Sequence, residues 1–145
     1  MTAARSLRAA LLSVAVGAAC AVSAAAAQLE ARIDLSEQLM TVRYSGQTIA
    51  TWPVSTARPG KVTPTGTFRP EHLSANHRSS LYNDAPMPWS VFFHGNYAIH
   101  GTDQVERLGS PASAGCVRLA PDNARLLFNL VRKVGFDATR IVIRP

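Results

Sequence analysis

Apolar and polar positions alternate along Ala31-Arg32-Ile33-Asp34-Leu35, and again from Leu39 to Tyr44, where Leu39, Thr41 and Arg43 oppose Met40, Val42 and Tyr44. A period of two sends successive side chains to opposite faces, so both segments are predicted β-strands. Ser45-Gly46 is a two-residue hairpin signal, and Thr48 to Trp52 returns as the partner strand, weakened at its end by Pro53. Ser55 to Gly66 is a loop in which Pro64 fixes φ and Gly66 permits a positive φ. Thr67 and Phe68 open a short strand after it. Glu71 to Pro88 shows no clear period and predicts a long excursion over the surface, with His72 and His77 as solvated loop residues. Trp89 to His94 and Tyr97 to His100 read as two strands joined by Gly95-Asn96, and Gly101 to Ala112 as a polar loop.

The period changes after Cys116. Leu126, Leu127, Leu130, Val131 and Val134 recur at helical spacing and predict one apolar face. Pro121 in the first turn, Asp122 beside the positive end, Arg132 and Lys133 in the last turn and Gly135 as the cap bound a helix at about 121–134. Arg140 to Arg144 is a final strand. The nine glycines and nine prolines lie almost entirely after residue 45, which predicts many turns and a mainly β body. At 145 residues and 47% apolar, the chain suits one packed domain.

The first 27 residues are expected to stand apart from that domain. Arg5 and Arg8 precede an uncharged, mostly apolar run from Ala9 to Val22, and Ala25-Ala26-Ala27 gives the small-x-small pattern of a signal peptidase site. The run falls short of the roughly 20 residues of a membrane span, so no stable membrane insertion is expected after cleavage. Acylation at Cys20 is the other option, but Gly17-Ala18-Ala19 lacks the usual upstream aliphatic residue. An exported protein of the periplasm or cell envelope follows, with residues 28–145 as the mature domain. Without the leader, 13 basic and 9 acidic residues remain. The excess favours an anionic partner. The basic residues are scattered, with Arg132-Lys133 the only adjacent pair, so no nucleic-acid stripe is present.

Cleavage would also leave Cys116 without an intramolecular partner. An unpaired cysteine in an oxidising compartment points to intermolecular pairing or to a thiol kept for chemistry. His100 lies far enough upstream to close a loop and sit beside it, take its proton and poise the pair near neutral pH. Gly115 lets the chain turn before the thiol, and the amides of Gly115 and Cys116 can face a developing oxyanion. Arg118 suits a substrate carboxylate, because its planar fork binds bidentately. The residues leave other readings open: a buried structural cysteine, a structural His100, or His94, His100 and Cys116 as zinc ligands, although those spacings match no common zinc motif.

His100-Gly101-Thr102, then Leu108-Gly109, Pro111 and Ser113-x-Gly115-Cys116-Val117-Arg118-Leu119, resembles the active-site signature of the L,D-transpeptidase (YkuD) catalytic domain. Thr63-Pro64-Thr65-Gly66-Thr67-Phe68 resembles that family's TPxGxF element. Pro53-Val54-Ser55-Thr56, Met87-Pro88-Trp89 and Phe93-His94-Gly95 are similar as well, so the resemblance covers nearly the whole mature chain. It implies a mixed β-sandwich with one α-helix in the C-terminal half, no cofactor, no metal, and peptidoglycan stem peptides as substrate. It implies Cys116 as nucleophile, His100 as general base oriented by the backbone near Ser113, and Gly115 shaping the oxyanion hole. His94, Gly101 and Arg118 are expected to contact substrate. The thiol would attack the third residue of a tetrapeptide stem, expel D-alanine, and pass the acyl group to a neighbouring stem as a 3→3 cross-link. Carbapenem-type inhibitors would acylate the same cysteine. One departure stands out: the family most often has histidine where this chain has Ala114. A hydrolase using water as acceptor, an L,D-carboxypeptidase, remains open, as does a non-catalytic wall-binding protein.

Overall fold

The computed structural model describes residues 26–145. The expected leader therefore falls, apart from its last two residues, outside the described residues, as does Cys20. Nine strands and one helix follow: β1 (Leu29–Asp34), β2 (Leu39–Tyr44), β3 (Gln47–Pro53), β4 (Gly66–Phe68), β5 (His72–Arg78), β6 (Pro86–His94), β7 (Tyr97–Gly101), β8 (Val117–Leu119), α1 (Pro121–Val134) and β9 (Thr139–Arg144). They form two mixed sheets, ordered β3-β2-β1-β9-β4 and β5-β6-β7-β8. β1 runs parallel to β9 and β7 parallel to β8, while the other pairs are antiparallel.

One core joins the sheets and the helix. Leu29, Ala31 and Ile33 of β1, Met40 and Val42 of β2, and Ile141 and Ile143 of β9 pack with Val91 and Phe93 of β6, Ile99 of β7, and Val117 and Leu119 of β8. α1 adds Ala124, Leu127, Phe128 and Val131, at the i, i+3, i+4, i+7 spacing that puts four side chains on one stripe. The buried stripe is rotated from the expected one. Leu126 lies off it and is 48% exposed, whereas Leu130 and Val134 only flank the core. The ends of α1 agree with the sequence: Pro121 opens it and Gly135, at φ +87°, donates its N–H to the Val131 carbonyl. Ser45 and Gly46 both take positive φ in the β2–β3 turn, as a two-residue hairpin of this twist requires.

The expected excursion over Glu71 to Pro88 is largely sheet instead. β5 occupies His72–Arg78 and pairs with β6 from Pro86 to Phe92. β5 is an edge strand with only short or partly buried apolar side chains, Leu73 and Ala75, so its period is faint. Pro86 and Pro88 lie inside β6 where it has β5 on one side and β7 has not yet joined on the other. A missing N–H is harmless on an unpaired side. Only residues 79–85 remain as a turn between β5 and β6. Among the described residues, no helix is long and apolar enough to cross a membrane.

Candidate active site

β7 and β8 place the two candidate catalytic residues. Their parallel register pairs Ile99 with Val117 and His100 with Arg118, and Cys116 immediately precedes β8. Ile99 and Val117 point into the core. By alternation His100, Cys116 and Arg118 share the opposite face, and all three line one cleft of about 560 Å³. His94, Asn96, Tyr97, Gln104, Ala114 and Arg58 line the same cleft. His94 is exposed and stacks on Tyr97, with ring centroids 6.2 Å apart and planes 15° from parallel.

The turn carrying Cys116 is clamped by the loop before β4. Ala112 and Ser113 both donate their N–H to the Thr56 carbonyl, and Arg58 N–H donates to the Ser113 carbonyl at 2.9 Å. Ser55 and Arg118 exchange two backbone hydrogen bonds, so this loop runs beside β8 like a short extra strand. Thr56 is held in turn by the buried Gln38, whose amide oxygen accepts its N–H and whose amide nitrogen donates to its hydroxyl. Thr63 Oγ1 donates to the Gly115 carbonyl at 2.8 Å and accepts the Ala57 N–H. Ser113 Oγ donates to the Cys116 carbonyl at 2.6 Å and accepts the Gly115 N–H at 3.0 Å. Gly115 has no substitute here: its φ is +139°, and a Cβ would come within 2.7 Å of both the Tyr97 ring and the Val62 carbonyl.

These contacts revise three expectations. The Gly115 N–H is occupied by Ser113 Oγ, so it is not aimed at a ligand; the Cys116 N–H, like that of Ala114, has no acceptor among the described residues. The carbonyl that holds His100 is that of Gly101, 2.7 Å from Nδ1, rather than one near Ser113. Gly101 itself does not line the cleft: it packs behind His100 against Pro88 and Pro121, too close for a side chain to be added without displacement. The TPxGxF element marked Thr63 without its role, and nothing marked Gln38, because buried polar residues acquire a supporting role only through distant partners.

The electrostatics fix the resting state. A carbonyl only accepts, so Nδ1 of His100 carries the proton and Nε2 is the free base. His100 is 6% exposed, and burial pushes its pKa down to about 4, against the raising effect of the Gly101 carbonyl. Burial pushes the Cys116 thiol up, while backbone at Ala98 and the Arg118 guanidinium pull the other way. Near neutral pH both groups are therefore uncharged, and the pair is not poised near neutral pH as the sequence predicts. Such a pair reacts by passing the thiol proton to imidazole as sulfur attacks. Cys116 Sγ rests 3.7 Å from the Asn96 carbonyl. Among the described residues, no three His, Cys, Asp or Glu side chains are grouped to hold a metal ion.

The family model for the L,D-transpeptidase catalytic domain, YkuD, matches residues 30–143. Among solved structures, the chain is similar to the LD transpeptidase LdtMt1 in complex with imipenem, at TM-score 0.72 and 23% identity over 81% of this chain and 59% of that one. It is similar to L,D-transpeptidase 3 from Mycobacterium tuberculosis in complex with a faropenem-derived adduct, at TM-score 0.72 and 16% identity over 82% and 61%. An L,D-transpeptidase from Stackebrandtia nassauensis matches at TM-score 0.72 and 21% identity, over 89% and 62%. The chain thus spans about three fifths of these structures. Among curated proteins, none matches it in sequence.

Proposed function

The chain belongs to the L,D-transpeptidase catalytic domain family, and on that premise we propose that it transfers acyl groups between peptidoglycan stem peptides through a thioester at Cys116. The observation that carries this reading is the shared face: one parallel strand pair sets a buried neutral imidazole and a thiol on the same wall of one cleft.

The chemistry runs in two halves. Cys116 Sγ attacks the carbonyl of the third stem residue while His100 Nε2 takes the thiol proton. The oxyanion forms within reach of the unpartnered Cys116 N–H. The tetrahedral adduct collapses, the C–N bond breaks, and His100 returns the proton to the departing D-alanine amine. In the second half an amine of a neighbouring stem attacks the thioester, His100 accepts its proton, and the thiol is regenerated as the 3→3 cross-link is released. Arg118, half-buried at the cleft wall, binds a substrate carboxylate. His94, stacked flat on Tyr97, offers an aromatic ledge along the bound peptide. Action on the wall fits an exported location in the periplasm or envelope, to which the leader-like first 27 residues and the basic mature chain lend support.

The test is intact mass after incubation with a carbapenem, wild type beside Cys116→Ala. A single covalent adduct on wild type alone is expected. Adducts on neither protein, or on both, would sink the reading. Feeding labelled stem peptides with and without an acceptor amine then separates cross-linking from hydrolysis.

A further inference from the structure

Among the described residues, the Arg118 guanidinium has one side-chain partner, and that partner is neutral: an N–H donates to Gln104 Oε1 at 3.1 Å. No carboxylate lies at ion-pair distance there; the ion pairs present involve Arg32, Arg69 and Arg78. Gln104 and Arg118 line the same cleft as Cys116. Gln104 is exposed, but its backbone is held from both sides. Its N–H donates to the Thr102 hydroxyl at 3.1 Å, and its carbonyl accepts the Arg107 N–H at 3.1 Å. Thr102 is itself buried, and its N–H donates to the carbonyl of Leu119, the residue after Arg118, at 2.9 Å. The contacts close a short ring from Arg118 through Gln104 and Thr102 to Leu119, at the ends of β7 and β8.

A guanidinium only donates, so the oxygen of the Gln104 amide faces Arg118 and the nitrogen faces away from it. That nitrogen has no acceptor among the described residues, although Gln104 lines the cleft. A carboxylate in the same place would hold the guanidinium at least as firmly, but would neutralise it before a ligand arrived. An amide holds it and leaves its charge unspent. Building on the function proposed above, we propose that Gln104 is a specificity-determining residue of the cleft. It fixes the Arg118 guanidinium without neutralising it, and its amide N–H groups donate to an oxygen of the substrate that Arg118 does not reach. The first role acts through Arg118 and sets the preference for an anion. The second is a direct contact and adds affinity whatever the charge of the ligand.

The experiment uses two synthetic tetrapeptide stems, one ending in a free carboxylate and one in a carboxamide. Binding of each to the Cys116→Ala protein is measured by calorimetry, turnover by the enzyme with Cys116 intact, and the stability of each variant by denaturant unfolding. With Gln104 in place, the carboxylate stem is expected to bind about tenfold tighter, the value of one charge-assisted contact. Gln104→Glu keeps the shape and gives Arg118 an ion pair, so stability should hold or rise. The carboxylate stem should nonetheless bind about tenfold more weakly, its preference over the carboxamide should vanish, and the loss in turnover should fall on KM rather than kcat. Gln104→Met adds no charge; it should weaken both stems by about threefold and keep the preference. Wild-type affinity and preference in Gln104→Glu, or affinity falling only in step with stability, would overturn the role. Turnover with an unchanged KM in Gln104→Glu would overturn it too and leave the transferase standing, whereas binding that follows these expectations without turnover would do the reverse.

Discussion

Thr63 and Gly115 are 52 positions apart in sequence and joined by a hydrogen bond of 2.8 Å, hydroxyl to carbonyl, at the turn that presents the thiol. The same hydroxyl accepts the Ala57 N–H, so one buried oxygen fastens the loop before β4 to the residue preceding Cys116. Thr63→Val keeps the shape and leaves both partners unsatisfied. It should cost about 1–3 kcal/mol of stability and slow acylation by carbapenem more than it weakens reversible binding. Thr63→Ser should restore both. Denaturant unfolding and the acylation rate check this, and a valine variant that acylates at the wild-type rate would show that the clamp does not position the thiol.

Gly115→Ala meets two obstacles at once. A side chain at φ +139° is strained, and its first carbon would enter the Tyr97 ring and the Val62 carbonyl. A loss of about 3 kcal/mol or more is expected, together with loss of the carbapenem adduct. Gly46→Ala is the control, since its Cβ would meet nothing although its φ is also positive. Equal losses in the two variants would assign the cost to backbone strain alone.

His100 ties stability to acid. Its folded-state pKa of about 4 lies below the ordinary 6.5, so between those values the unfolded chain binds a proton that the folded chain refuses. Stability is therefore full above pH 6.5 and falls as the pH drops toward 4, by about 3 kcal/mol across the window. His100→Gln should flatten that slope. Asp34, held below the usual carboxylate range by the Ser36 hydroxyl, contributes only at lower pH. Unfolding free energies from pH 4 to 7 in wild type and variant decide the matter, and parallel slopes would refute it.

Cys116 should behave as a reluctant nucleophile toward a small neutral reagent. With the thiol raised by burial, alkylation by iodoacetamide should keep climbing through pH 9 with no plateau near neutrality. Arg118→Gln removes the cation that favours the thiolate, and should move the midpoint to still higher pH. A midpoint near pH 6 to 7 in wild type would mean a thiolate–imidazolium pair instead. Carbapenem acylation remains fast by comparison, because His100 removes the proton within the reaction itself.

Periodicity made β1, β2 and α1 legible, because each has one face in the core, and the core writes its spacing into the sequence; β3 followed instead from the Ser45-Gly46 turn before it. β5 escaped because an edge strand of His72-Leu73-Ser74-Ala75-Asn76-His77-Arg78 buries too little to stamp a pattern. Leu126 misled the helix face, since an apolar residue beside a stripe looks like part of it until Ala124 and Phe128 are seen to be buried. Cys116 and His100 stood out through chemistry and motif, which are local. The roles of Thr63, Gln38 and the Gly101 carbonyl did not, for they consist of partners that only folding brings near.

The parallel pairing of β7 with β8 has one more consequence. The spacing of His100 from Cys116 is set by a sheet ladder, not by the chain between them. That intervening chain is itself pinned from Gly109 onward to Val54 and Thr56, which leaves residues 103–108 as a segment fastened through Gln104, whose N–H donates to Thr102 Oγ1 and whose side chain accepts from Arg118. Asp103, Gln104 and Arg107 sit in it. A lineage, or an engineer, can therefore rewrite which ligand is welcomed by exchanging six residues while the reacting pair stays in register, so that recognition and reactivity evolve on separate tracks.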